Sequence, residues 1–130
     1  MSARSKARKR ALDTLFEVDL RETSIPLIVQ SEENDAEVLN YSDQLLQGVK
    51  NNLVEIDQLI SQNLKEWTID RIPRVDRNIL RIAVYELTHE KSVPAGVVIS
   101  EAVALAESLS TDESAAFVNG TLSSINKSQN

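Results

Sequence analysis

The sequence predicts an all-α fold, a compact single-domain helical bundle of about six to seven helices spanning residues 1–130. Three observations carry this. Apolar residues recur at three- and four-residue spacings along nearly the whole chain, strand-like β-branched alternation is almost absent, and only three Gly and three Pro punctuate 130 residues. From about Ser5 to Leu20, the residues Ala7, Ala11, Leu12, Leu15 and Phe16 fall at helical spacing, with Lys6, Lys9, Arg10, Asp13 and Glu17 opposite. A short segment at 26–30 is entered through Pro26, and SEEND (Ser31–Asp35) reads as a solvated loop. A helical pattern resumes near Asp35 with Val38, Leu39, Leu45, Leu46 and Val49. Gly48 and Asn51-Asn52 are the places to kink or break it before Leu53, Ile56, Leu59, Ile60 and Leu64 continue the stripe.

The segment RIPRVDRNILRIAVYEL (Arg71–Leu87) is the clearest amphipathic helix, with Pro73 at its start and Asp76 in its first turns, where an acid complements the helix dipole. Val75, Ile79, Ile82, Ala83 and Leu87 form its buried face, and Trp67 just ahead reads as a core or helix-junction anchor. Val93-Pro94 resets the chain, and Val98, Ala102, Leu105, Ala106 and Leu109 mark the next helix. After STDES, Ala116, Phe117, Leu122 and Ile125 imply a last short helix, with 126–130 a frayed tail.

Composition excludes several classes of function. Cysteine is absent, so there is no disulfide framework, thiol catalysis or thiolate metal site. No apolar run approaches the roughly 20 residues of a membrane helix. The N-terminus leads into LDTLFEVDL, with three acids, rather than a secretory leader, so the expectation is a cytoplasmic protein without a membrane partner. His89 is the only histidine, and Gly48, Gly96 and Gly120 are too far apart for a phosphate loop. With many acids but no fixed pair, the expectation is a protein that is not an enzyme and uses no metal or cofactor.

Charge is the strongest functional pointer. Five of the 14 Lys and Arg (Arg4, Lys6, Arg8, Lys9 and Arg10) lie in the first ten residues, with none of the 20 Asp and Glu. Residues 11–130 therefore hold nine bases against 20 acids, a net of −11. Cations at a helix start oppose the macrodipole by a few tenths to about 1 kcal/mol each. Pairing of Lys9 and Arg10 with Asp13 runs base-before-acid and offsets only a few tenths. A cluster that helix stability disfavours points to an external polyanion, and RNA phosphate explains it better than a solvated helix end. Arg74, Arg77 and Arg81 share a second face, but Asp70, Asp76 and Glu86 lie near enough to neutralise it, so that stripe reads as structural. Phe117 is either core or a platform for an unpaired base. Phe16 sits by periodicity at the edge of the core.

Three blocks together carry a resemblance. They are the arginine-rich start running into ARKRALDTLFEVD (Ala7–Asp19), EWTIDRIPRVDRNILRIAVYEL (Glu66–Leu87), and VPAGVVISEAVALAESLSTDESAAFVNGTL (Val93–Leu122) with its FVNG tetrapeptide. In this order and spacing the chain resembles the NusB family of bacterial transcription antitermination factors, departing from it around Ser31–Glu37, which is short and acidic. The resemblance implies a non-catalytic, all-helical protein that binds the single-stranded boxA element of nascent ribosomal RNA. It would do so with NusE, a ribosomal small-subunit protein, within the RNA polymerase antitermination complex. Some members self-associate, so a homodimer is open. The resemblance also implies RNA contacts at Glu113, Ser114 and Phe117, with Glu113 tuning affinity or reading a base edge, and a partner-facing role for Asp76 and Phe16. The alternatives are a purely protein-binding helical module and the NusB-like accessory domain of an RNA methyltransferase; the latter needs a downstream cofactor domain, which a chain ending at Asn130 does not carry.

Overall fold

In the computed structural model, which describes residues 1–26 and 33–129, the chain runs through α1 (Ala3–Arg21), α2 (Ala36–Asn51) and α3 (Leu53–Gln62). A 3-10 turn (Ile69–Arg71) then leads to α4 (Arg74–His89), α5 (Ala95–Leu109) and α6 (Asp112–Ser128). No strand occurs among the described residues. Most of these boundaries have a chemical cause. The side chains of Ser2, Asp35 and Thr111 accept the N–H groups of Ser5, Glu37 and Ser114 at 3.0, 2.9 and 3.0 Å, capping α1, α2 and α6. Pro73 and Pro94 stand immediately before α4 and α5, where a missing N–H leaves nothing unpaired. Asn52 closes α2 and opens α3, its side-chain amide donating to the Gly48 carbonyl at 2.8 Å.

Helix α4 is the axis. It packs against all five other α-helices, with α1 paired on α2 along one side and α5 on α6 along the other. That placement explains why α4 departs from the single apolar stripe predicted for it. Leu80 and Val84 are as buried as Ile79 and Ile82, whereas Val75 is only partly covered, because a helix enclosed all round buries nearly every face. The same enclosure draws in Asp76, Arg77, Asn78 and Glu86, each of which requires a partner.

The expected elements are present with four corrections. The last helix is long rather than short, and it continues through Ser128, so most of the expected frayed tail is helical. Trp67, expected as an anchor, is 56% exposed. Gly48 does not break α2, which ends at Asn51. Arg77 and Arg81 are neutralised from α1 and α3, not by Asp70, Asp76 or Glu86. Asp19 Oδ2 accepts from Arg77 Nη2 at 2.7 Å and Asn78 Nδ2 at 3.0 Å, and both Asp57 oxygens accept from Arg81 at 2.9 Å. The helix entry expected at 26–30 lies, beyond Pro26, outside the described residues, as do Ser31 and Glu32 of the expected loop; Glu33–Asp35 are non-helical, as expected.

Gly48 is required by close approach. A Cβ built there would lie 2.1 Å from Tyr85 Cε1, and the Tyr85 hydroxyl is held by Glu90 at 2.8 Å. Gly48→Ala should therefore lower unfolding free energy by about 1–3 kcal/mol through overpacking, although Ala is the better helix former by about 1 kcal/mol. A denaturation midpoint that stays level or rises would show that the Tyr85 ring can swing aside.

Asp19 makes stability depend on acid. Burial pushes its carboxyl up, but hydrogen bonds from Arg77 and Asn78 and the charges of Arg77 and Arg81 outweigh it, so the pKa lies below the ordinary value. A depressed folded-state pKa contributes stability that is fully present above the unfolded value of about 4 and is lost as pH falls through the folded value. Unfolding free energy should thus decline below about pH 4, and Asp19→Asn should show a shallower acid limb. Superimposable pH slopes for the two proteins would overturn this assignment.

Candidate nucleic-acid interface

Helix α1 distributes its five cations around its circumference, and their fates differ. Lys6 is exposed; Arg4 is exposed too, with its guanidinium 4.5 Å from the centre of the Tyr41 ring, a cation–π distance. Lys9 meets both carboxylate oxygens of Asp13, at 2.7 and 2.8 Å, on an open surface where such a pair contributes little. Arg10 is half-buried.

Arg8 corrects the sequence expectation. Its side chain is 4% exposed, and Nε and Nη2 each donate at 2.8 Å to the two oxygens of Glu86, itself 1% exposed. Tyr41 adds its hydroxyl to Glu86 at 2.6 Å. Glu101 lies 3.7 Å from Arg8 and accepts from Ser5 at 2.6 Å. Burial pulls the guanidinium pKa down, and the hydrogen bond and charge of Glu86 more than offset it, so the pKa lies above the ordinary arginine value. The Tyr41 hydroxyl is pushed up by burial and by its bond to Glu86. A guanidinium enclosed in the interior and committed to a two-pronged pair is not presented to a phosphate outside. Arg8 is an internal strut.

At the far end of α4, the first turn of α6 meets Asp76. This carboxylate is 2% exposed, so it is a buried acceptor and not the surface charge the sequence implied. Ser114 Oγ donates to Asp76 Oδ2 at 2.8 Å while accepting from Ser110 at 2.8 Å and Thr111 at 3.2 Å, which uses the full capacity of one hydroxyl. Ser114, only 8% exposed, therefore holds Asp76 and has no hydrogen left for an RNA contact. Asp76 Oδ1 has no hydrogen-bond partner among the described residues. Both side chains line an open cleft of about 410 Å³, with Trp67, Arg71, Glu113 and Phe117 also on its walls. Glu113 is exposed, and Phe117 is half-buried: one part packs on the core and another faces the cleft, so the two readings of Phe117 are compatible.

Asp76, Glu113, Ser114 and Phe117 are thus brought together, while the cationic end of α1 lies toward the opposite end of α4. Phe16 is half-buried on α1. Trp67, expected only as an anchor, and Arg71 are cleft residues that the sequence did not mark as site residues; the signal for Trp67 was a tryptophan outside any apolar stripe, between Lys65-Glu66 and Thr68. Among the described residues no group of His, Asp or Glu is arranged to hold a metal, and no helix is long and apolar enough to cross a membrane.

The Arg8–Glu86 pair should be costly to break from one side. Arg8→Met leaves a buried, unpaired carboxylate and should cost about 3–5 kcal/mol. The double variant Arg8→Met/Glu86→Leu removes both charges and should recover much of that loss in a denaturant titration. Equal losses in the single and double variants would show that packing, not charge, sets the cost.

Comparison with known proteins agrees with this architecture. The NusB family profile matches residues 5–127. The transcription antitermination protein NusB of Acidothermus cellulolyticus is 50% identical over 132 residues, covering 99% of this chain and 90% of that protein. The protein of the same name from Nocardioides sp. is 48% identical, with coverage of 96% and 94%. Among solved structures, T. maritima NusB superposes with a TM-score of 0.86 at 34% identity, covering 98% of this chain and 92% of that one. A crystal structure of antitermination factors NusB and NusE in complex with dsRNA gives 0.85 at 29% identity, covering 98% of each chain. A helical bundle centred on α4, matched over nearly its full length by these relatives, belongs to the NusB family.

Proposed function

We propose that this chain is a non-enzymatic, cytoplasmic, RNA-binding transcription antitermination factor. It binds the single-stranded boxA element of nascent RNA together with NusE and acts within the RNA polymerase antitermination complex. The observation that carries the reading is the near-complete structural likeness to a NusB that is held with NusE and double-stranded RNA, which supports RNA and NusE as ligands. Local chemistry supports it. Arg4, Lys6, Lys9 and Arg10 concentrate positive charge at one end of a body that is otherwise net acidic, and they supply phosphate attraction. Phe117, half-buried with Glu113 one turn before it, offers an aromatic face and a hydrogen-bonding edge for an unpaired base. Phe16 and the unpartnered oxygen of Asp76 are the proposed contacts for the basic protein partner. Because Asp76 is enclosed, that contact takes a donor group reaching into the cleft rather than charges meeting across a flat surface.

The test is a salt titration of RNA affinity. With Arg8 withdrawn into the interior, four cations remain, and at about −0.7 per phosphate contact the slope of log K against log salt should approach about −2.8. Replacing Arg4, Lys6, Lys9 and Arg10 with Gln should flatten that slope and weaken binding while leaving the helical circular-dichroism signal intact. Affinity unmoved by the four substitutions would overturn the proposed role of α1. The purely protein-binding reading would prevail if boxA and a scrambled oligonucleotide compete equally.

A further inference from the structure

Trp67 is out of place for its residue type. It is the chain's one tryptophan, and it stands 56% exposed in the segment between α3 and α4. With Phe117 it lines not only the cleft that holds Asp76 but a second one on the other side, of about 280 Å³. The second cleft runs along α6 from Phe117 past Gly120 to Ser124 and is bounded opposite by Asn63 and Lys65. Its rim is polar: Ser124 donates to Asn63 Oδ1 at 2.6 Å, and Lys65 is exposed. Gly120 is among its lining residues and has open space beside it, since an added Cβ would meet nothing within 4 Å.

We propose that Trp67 is a second base-stacking residue, and that the slot beside it over Gly120 takes one unpaired RNA base next to the one at Phe117. The inference rests on the RNA-binding reading above and extends it by one nucleotide position. Two aromatic side chains with hydrogen-bonding groups at the edge suit a planar polar heterocycle. Of the charged residues lining the slot, Lys65 offers a cation to its phosphate and exposed Glu66 an acceptor to a base amino group. The slot is small, about 280 Å³, with a mainly apolar interior and a polar edge, which suits one planar base better than the broad continuous surface a protein partner would need. The slot also continues the proposed RNA surface directly, because Phe117 belongs to both clefts. Gly120 has a role in this arrangement that helix stability alone does not give it, since glycine inside a helix is the weaker choice.

The intact protein supplies its own probe, because all tryptophan emission comes from Trp67. Titration with single-stranded boxA oligonucleotide should quench that emission in step with binding followed by anisotropy of labelled RNA. Trp67→Leu should weaken RNA binding about tenfold, equivalent to about 1.4 kcal/mol, whereas Trp67→Phe should retain most of the affinity. Gly120→Leu should fold at least as stably as the parent while losing a similar factor, because its side chain fills the slot. RNA that binds with unchanged emission, and with equal affinity for parent, Trp67→Leu and Gly120→Leu, would overturn the inference and leave the RNA-binding reading standing. Loss of NusE binding with RNA binding intact in Trp67→Leu would assign the face to protein and overturn it as well. A parent protein that binds no boxA RNA would remove the functional reading and this extension of it together.

Discussion

The buried pair of Arg8 and Glu86 is the constraint on which the arrangement of the surface depends. Helix α1 has little apolar side chain to bury, its interior residues being Ala7, Ala11, Leu12 and Leu15 beside Ser5 and Arg8. Small residues allow close approach to α2 and α4 but leave register loosely specified. Two charge clamps specify it. Arg8 meets Glu86 near the end of α4, and Asp19 meets Arg77 and Asn78 near its beginning, so α1 lies antiparallel to α4. The clamp residues are about 16 Å apart along α1 and about 13 Å along α4. A slip by one turn would strand a buried carboxylate and a buried guanidinium, each costing several kcal/mol. With α1 fixed in this register, Lys6 and Lys9 face outward, and the chain's cationic end becomes a positioned surface rather than a flexible arm.

Most of the helical order was legible because it follows from apolar spacing, and the three sequence blocks carried the family. Arg8 shows where that reading fell short. Among five neighbouring cations its chemistry is indistinguishable, and the charge count included it with the others. Its position is distinguishable: it lies three, four and seven residues before Ala11, Leu12 and Leu15, on the buried stripe. Glu86 likewise lies four and seven residues after Ile82 and Ile79. Opposite charges on the buried stripes of two helices are a signal for an internal pair, and weighing the position of each charge rather than the sum would have found it. Trp67 was illegible for a different reason. Residue type says that tryptophan has much area to bury, but periodicity assigns no face to a residue between helices, and only the path of the connecting segment decides its exposure.

The site residues were divided in the sequence between an RNA set and a partner set, and the Asp76–Ser114 hydrogen bond undoes that division. It ties the first turn of α4 to the first turn of α6, so the carboxylate proposed for the protein partner and the helix start that carries Glu113 and Phe117 form one unit. Sequence could not supply this contact, because the two residues are 38 positions apart and neither lies in a pattern that names the other. The consequence concerns specificity. Glu113 and Asp112 place negative charge at the start of α6, where the dipole stabilises it, and in the proposed function the same charge would repel an RNA phosphate brought near Phe117.

In the proposed function this conflict gives the two ligands a reason to depend on each other. Screening at physiological salt limits each charge to a range of about 8 Å, so the cations of α1 cannot neutralise acids at the opposite end of α4. A basic partner whose donor enters the cleft at Asp76 would cancel charge directly beside Phe117, lowering the repulsion that RNA meets there. Linkage requires that RNA then tighten the partner by the same factor. No change of shape in this chain is needed, because the coupling passes through the field between fixed groups. Rigidity favours it: Ser114 is held by three hydrogen bonds through its hydroxyl, and Asp76 is fixed in turn by Ser114. The first turn of α6 therefore presents its charges at constant positions to both ligands, and the division of labour between cationic α1 and acidic α6 makes affinity without the partner the quantity that is kept low.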